Sequence, residues 1–183
     1  QNRVRDELTT TLGPLEGYSS EEFRLAFAAF PLKALQDSAQ SLSQALEGAG
    51  EQREEYWQNR ILPFWQHVWP KSQELVTPII AESLIRMSIA AGNEFPAALD
   101  AVYDWLVLTE HMHYAVHRLR ESGLCTAFPA DALRLLAAVV DDQAWLSPDL
   151  RPCLEEIIQA QARLADSAEY RRLAEYARRH GLL

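Results

Sequence analysis

The chain has 183 residues, 48% hydrophobic and 23% charged, the profile of an ordinary soluble globular protein that can bury a continuous core without a metal or disulfide. Its net charge of −9 divides as −4 over residues 1–92 and −5 over residues 93–183, so neither half offers the clustered basic stripe that a phosphate backbone requires, which argues against direct nucleic-acid binding. No apolar run reaches the roughly eighteen residues of a membrane span, and Gln1 to Thr11 is too charged for a secretory leader, so a cytoplasmic protein is expected.

Apolar residues recur at helical spacing nearly throughout, and seven glycines leave little room for strands and tight hairpins, so the expected fold is all-α. The first stripe is Val4, Leu8, Leu12 and Leu15, closed by Gly13-Pro14 and Gly17. Ser19 with Glu22 then reads as a capping box before a helix bearing Phe23, Phe27 and Phe30. Leu35, Ala39, Leu42 and Leu46 mark a third helix, stopped at Gly48-Ala49-Gly50.

From Glu51 to Trp69 the chain is most aromatic, with Trp57, Ile61, Phe64, Trp65 and Val68 at helical spacing. Pro63 should kink or split this helix by deleting a backbone donor, and Pro70 should end it. Thr77 before Pro78 is the N-cap signature of a helix with Ile80, Leu84, Met87 and Ala91 inward, ended by Gly92-Asn93. Further helices are expected over Pro96 to Leu108, over Glu110 to Ser122 with Gly123 as its stop, and over Pro129 to Val140. Another opens at Ser147-Pro148 or Asp149 and carries Leu150, Leu154, Ile157 and Ile158. The last is capped by Asp166 with Glu169 and ends at Gly181.

A faint repeat runs through these elements: Phe95-Pro96 and Phe128-Pro129 are 33 residues apart, and Phe30-Pro31 precedes the first by 65. About eight to ten antiparallel helices are therefore expected in one domain over residues 1–183. They form either an α-solenoid-like stack of hairpins or an irregular bundle in which Phe-Pro merely opens helices. Because the chain starts at Gln1, it reads as a piece of a larger protein.

Four constellations could carry chemistry. Glu110, His113, His117 and Glu121 share one helical face, and imidazoles with carboxylates are what a divalent metal takes. A di-iron bundle would need a second Glu-x-x-His, which is absent, and a zinc protease would need Glu where Tyr114 stands. The ordinary alternative is a solvated face of i, i+4 pairs.

Trp57, Phe64, Trp65 and Trp69, with Tyr56, form an aromatic surface that reads either as a docking face for a protein partner or as a core seam with Trp57 and Trp65 inside. Arg171, Arg172, Arg178, Arg179 and His180 could hold an anion, although cations in a last helical turn complement the macrodipole unaided. Asp141-Asp142 lacks the alternating oxygen ligands of a calcium loop. Cys125 and Cys153 read as free, buried or semi-buried thiols of a reducing compartment, and no phosphate loop, dinucleotide turn or nucleophile elbow is present. No catalytic residue, metal ligand or cofactor is assigned.

From Trp65 to Gly181 the chain resembles the helical C-terminal region of long bacterial proteins. The likeness is carried by Phe64-Trp65-Gln66-His67-Val68-Trp69-Pro70-Lys71, Phe95-Pro96-Ala97-Ala98-Leu99, Gly123-Leu124-Cys125-Thr126-Ala127-Phe128-Pro129 and Tyr170-Arg171-Arg172-Leu173-Ala174-Glu175-Tyr176. Some of those proteins carry an N-terminal sirtuin-like or ATPase module and resemble antiphage defence factors. The resemblance implies a tail domain that senses, scaffolds or oligomerises for an enzyme upstream, and it transfers no active-site residue. The expected function is thus a non-enzymatic interaction domain that binds a protein partner or its own neighbouring domain, without nucleic acid or membrane. The competing expectations are a metal protein built on His113 and His117 and a regulator that binds a small apolar ligand inside the bundle.

Overall fold

A computed structural model describes residues 32–67, 77–108, 112–140 and 147–182. The expectations placed on Val4 to Phe30, Val68 to Pro70 and Asp141-Asp142 lie outside the described residues.

The fold is all-α, with no strand among the described residues. Helix α1 spans Leu32–Glu47 and buries the expected stripe of Leu35, Ala39, Leu42 and Leu46. Residues 50–67 then run as one helical segment that changes pitch: a 3-10 turn, α2 over Arg53–Tyr56, a π-helical turn over Trp57–Ile61, and α3 over Leu62–His67. Pro63 does not split this segment. A proline ring crowds the preceding turn of a regular helix and removes one N–H. Here the turn immediately before it is widened, with the Leu62 N–H donating five residues back to the Trp57 carbonyl.

Helix α4, Pro78–Ala90, is buried on nearly every side, including Ile80, Leu84, Ile85, Met87 and Ile89. Its start is the cap read from sequence: Thr77 Oγ1 accepts from the Ile80 N–H at 3.4 Å and from Gln36 Nε2 at 2.8 Å. Helix α5, Phe95–Val102, continues as a 3-10 helix over Tyr103–Leu108, so the single helix expected to Leu108 tightens halfway. Helix α6 is Met112–Glu121, stopped at Gly123 in the left-handed conformation with φ 72°.

A short helix that the sequence reading omitted, α7 over Leu124–Ala127, is followed by α8 over Pro129–Val139, α9 over Leu150–Ala160 and α10 over Ala168–Arg179. The cap of α10 is a correction. Ser167, not Asp166, stands at the N-cap with extended backbone and accepts from the Tyr170 N–H at 3.2 Å, while Asp166 belongs to the 3-10 turn before it.

Neighbouring helices are not uniformly antiparallel. Gln36 meets Thr77 at one end of the α1–α4 pair, and Glu47 meets Arg86 toward the other, through two hydrogen bonds of 3.0 and 2.6 Å. These two helices therefore run parallel. The Phe-Pro starts of α5 and α8 also lie side by side, with the Phe95 and Phe128 rings 6.3 Å apart and Arg134 bonded to Asp100 at 2.9 Å, so this pair is parallel too. In contrast α6 and α9 run antiparallel: Arg120 reaches Asp149, and Val116 lies against Cys153. One continuous apolar cluster, from Leu35 to Ala177, joins all these helices.

Candidate functional site

Two of the residues singled out on α6 meet where it packs on α9: His117 stands beside Glu121 and reaches Asp149 across the seam. His117 and Arg120 stand on one face of α6, and Asp149 stands at the N-cap position of α9. The Asp149 carboxylate lies 2.9 Å from His117 Nδ1 through Oδ2 and accepts from Arg120 Nη1 at 2.5 Å through Oδ1. Asp149 makes no capping hydrogen bond to its own helix, and its N–H donates to Ser147 Oγ at 3.4 Å. Arg120 first, and His117 second, hold the Asp149 carboxyl below its ordinary range. On the other side of the imidazole, Nε2 stands 3.3 Å from Glu121 Oε1.

Of the face that offered the alternative metal reading, the described side chains are His117 and Glu121. His117 and Glu121 are adjacent, but the His117 side chain is 52% exposed and both of its nitrogens face carboxylates. Among the described residues no group of three or more His, Cys, Asp and Glu side chains is arranged to hold a metal ion. The His113 side chain and Glu110 lie outside the described set. Asp149 is the participant that sequence spacing missed, because it comes from 32 residues beyond His117 and only the antiparallel packing of α6 on α9 brings it there.

A second polar cluster joins α1, α4 and α6. Arg86 and Arg118 flank the Tyr114 ring, each with its guanidinium carbon 5.2 Å from the centroid, and Arg118 Nε donates to the Tyr114 hydroxyl at 2.7 Å. Glu47 takes Arg86 in a bidentate pair and stands 4.0 Å from Arg118. These charges are used for joining three helices.

The aromatic surface proposed for docking is corrected in three of its four members. Trp57 is 2% exposed, Phe64 0% and Trp65 4%, so these rings belong to the core, and Trp57 meets Trp65 edge to face at 5.1 Å. The reason is the path of the 50–67 segment, which lays this stripe into the interior. Trp69 lies outside the described residues. Trp65 Nε1 is buried and finds no acceptor among the described residues.

The arginines near the C-terminus are engaged locally. Arg172 donates to the Val140 carbonyl at 3.0 Å and to that of Ala137, closing the C-terminal end of α8 from α10. Arg178 pairs with Glu175, and Arg171 lies 3.6 Å from Asp166.

Both cysteines are free and fully buried, Cys125 on α7 and Cys153 on α9. The neighbouring Cys125 thiol and burial together push the Cys153 thiol up, so it stays protonated. No helix among the described residues is long and apolar enough to cross a membrane.

Fold and seam together define an all-α protein whose helices are joined by buried apolar contacts and side-chain struts. No known family and no solved structure matches the chain. Over 122 residues, 65% of its length, it is 26% identical to the uncharacterised protein y4cA of Sinorhizobium fredii, of whose length the matched stretch makes up 10%.

Proposed function

We propose that this chain is a non-enzymatic helical interaction or scaffold module of a larger, cytoplasmic bacterial protein. Its partner is another protein or a neighbouring domain of the same polypeptide, and its role is the sensing or oligomerising part of a defence system. The observation that carries the reading is the use made of the charged groups on α6: His117, Arg118, Arg120 and Glu121 each contact a charged side chain, and three of them reach across to another helix. A reactive centre requires groups aimed at a common substrate position. These groups are aimed at one another. The likeness to a stretch forming 10% of a much longer relative also favours a module over a free-standing enzyme. The Phe-Pro starts at Phe95 and Phe128, which open parallel neighbours, are the part of the arrangement closest to a helical repeat.

Sedimentation of the purified chain over a concentration series, alone and mixed with the remainder of its natural polypeptide, tests this. Association is expected, with hydrogen-exchange protection over a contiguous face of about 800 Å² on each partner. A chain that stays monomeric and binds neither itself nor that remainder contradicts it. Elemental analysis weighs the alternative reading. Stoichiometric metal that is lost on His117→Ala would establish the His113/His117 site instead.

A further inference from the structure

We propose that Cys125 and Cys153 form a reversible redox pair, which a hydroperoxide converts into an intramolecular disulfide tying α7 to α9. They are the chain's only cysteines, lie 28 residues apart in sequence, and are both brought into the core where α7 packs on α9. Leu124 and Cys125 are the buried residues of α7, Cys153 belongs to the buried face of α9, and the Cys153 thiol donates to the Val116 carbonyl oxygen at 3.8 Å. A single buried thiol behaves as a small hydrophobe, but two in contact share a two-electron oxidation without a second molecule having to enter.

One thiol, as thiolate, attacks the hydroperoxide; the O–O bond breaks, an alcohol (or water, from hydrogen peroxide) leaves, and a sulfenic acid remains. The second thiol then displaces hydroxide from that sulfur, the S–S bond forms, and the hydroxide leaves as water with that thiol's proton. Two thiols and one hydroperoxide thus give one disulfide, one alcohol and one water. A small dithiol reverses the change by exchange.

The architecture sets the rate. With the seam closed both thiols are shielded and Cys153 is held protonated, and a protonated thiol is a poor nucleophile. Helix α7, which carries Cys125, is a single turn bounded by Gly123 at φ 72° and by Phe128 at φ −134°, ψ 63°, both outside the helical region. Oxidation follows the opening of α7, and the disulfide locks it shut, enclosing α8 in the covalent loop.

The reduced 183-residue chain treated with hydrogen peroxide in native buffer, then mapped by non-reducing peptide mass spectrometry, tests the pairing. The expected product is a monomer lighter by two hydrogens, with a Cys125–Cys153 peptide that dithiothreitol removes and a melting temperature raised by on the order of 10 °C. Cys125→Ala and Cys153→Ala should each abolish the mass loss, and should either variant fail to fold, the wild-type peptide map decides. Two thiols that stay free, separate sulfinic acids, links between molecules, or a disulfide that appears only after guanidinium is added would each overturn the proposal.

Discussion

Asp149 occupies the N-cap position of α9 yet contributes its carboxylate to Arg120 and His117 of α6, so one residue starts a helix and fastens it to another. Because Arg120 and His117 lower its folded pKa, Asp149 contributes stability above the ordinary carboxylate range of about pH 4, and that contribution is lost as pH falls through the depressed value. Asp149→Asn should therefore flatten the acid limb of a plot of urea midpoint against pH, and an unchanged slope would contradict this role. The tryptophans make a second prediction at this scale. Trp57→Ala should cost about 3–5 kcal/mol in urea unfolding, as for a large aromatic removed from a closed core. Trp65→Phe should cost under about 1 kcal/mol, because the volume lost is offset by removing a buried N–H with no acceptor among the described residues.

At the scale of the helices, the local stop and start signals are separable in energy. Gly123→Ala meets no neighbouring atom within 4 Å, so its expected cost of about 1–2 kcal/mol is purely that of placing a side-chain-bearing residue at φ 72°. Thr77→Ala should cost about 1 kcal/mol and, by also freeing Gln36, loosen α1 against α4, which hydrogen exchange at the start of α4 would report. These signals were legible in the sequence because they act over three or four residues. Ser167 was not legible, since Asp166 and Glu169 spell a capping box one residue early and only the backbone angles decide between them. The helix α7 went unread because the four residues Leu124–Ala127 are too few to show a period.

Among the described residues one apolar cluster from Leu35 to Ala177 ties the helices together, the parallel pairs α1–α4 and α5–α8 along with the antiparallel pair α6–α9. Periodicity found the residues of that cluster, because burial of a helical stripe is a local property. It could not find the direction in which helices meet, nor that Asp149 would stand against His117, since both depend on contacts across more than 30 residues. A single cluster also predicts that the tryptophan fluorescence and helical ellipticity of the chain are lost at the same urea concentration, and separated transitions would show two cores.

The central claim is that the His117–Asp149 seam holds helices together and does not wait for a ligand. Equilibrium urea unfolding of wild type, His117→Gln, Asp149→Asn and the double variant tests it most directly. The account predicts a lower midpoint for each single variant and a double variant that loses less than the sum of the two single losses, because the His117–Asp149 contact is counted in both. Midpoints that stay the same or rise on substitution, the behaviour of groups kept for function at a cost to stability, would contradict it.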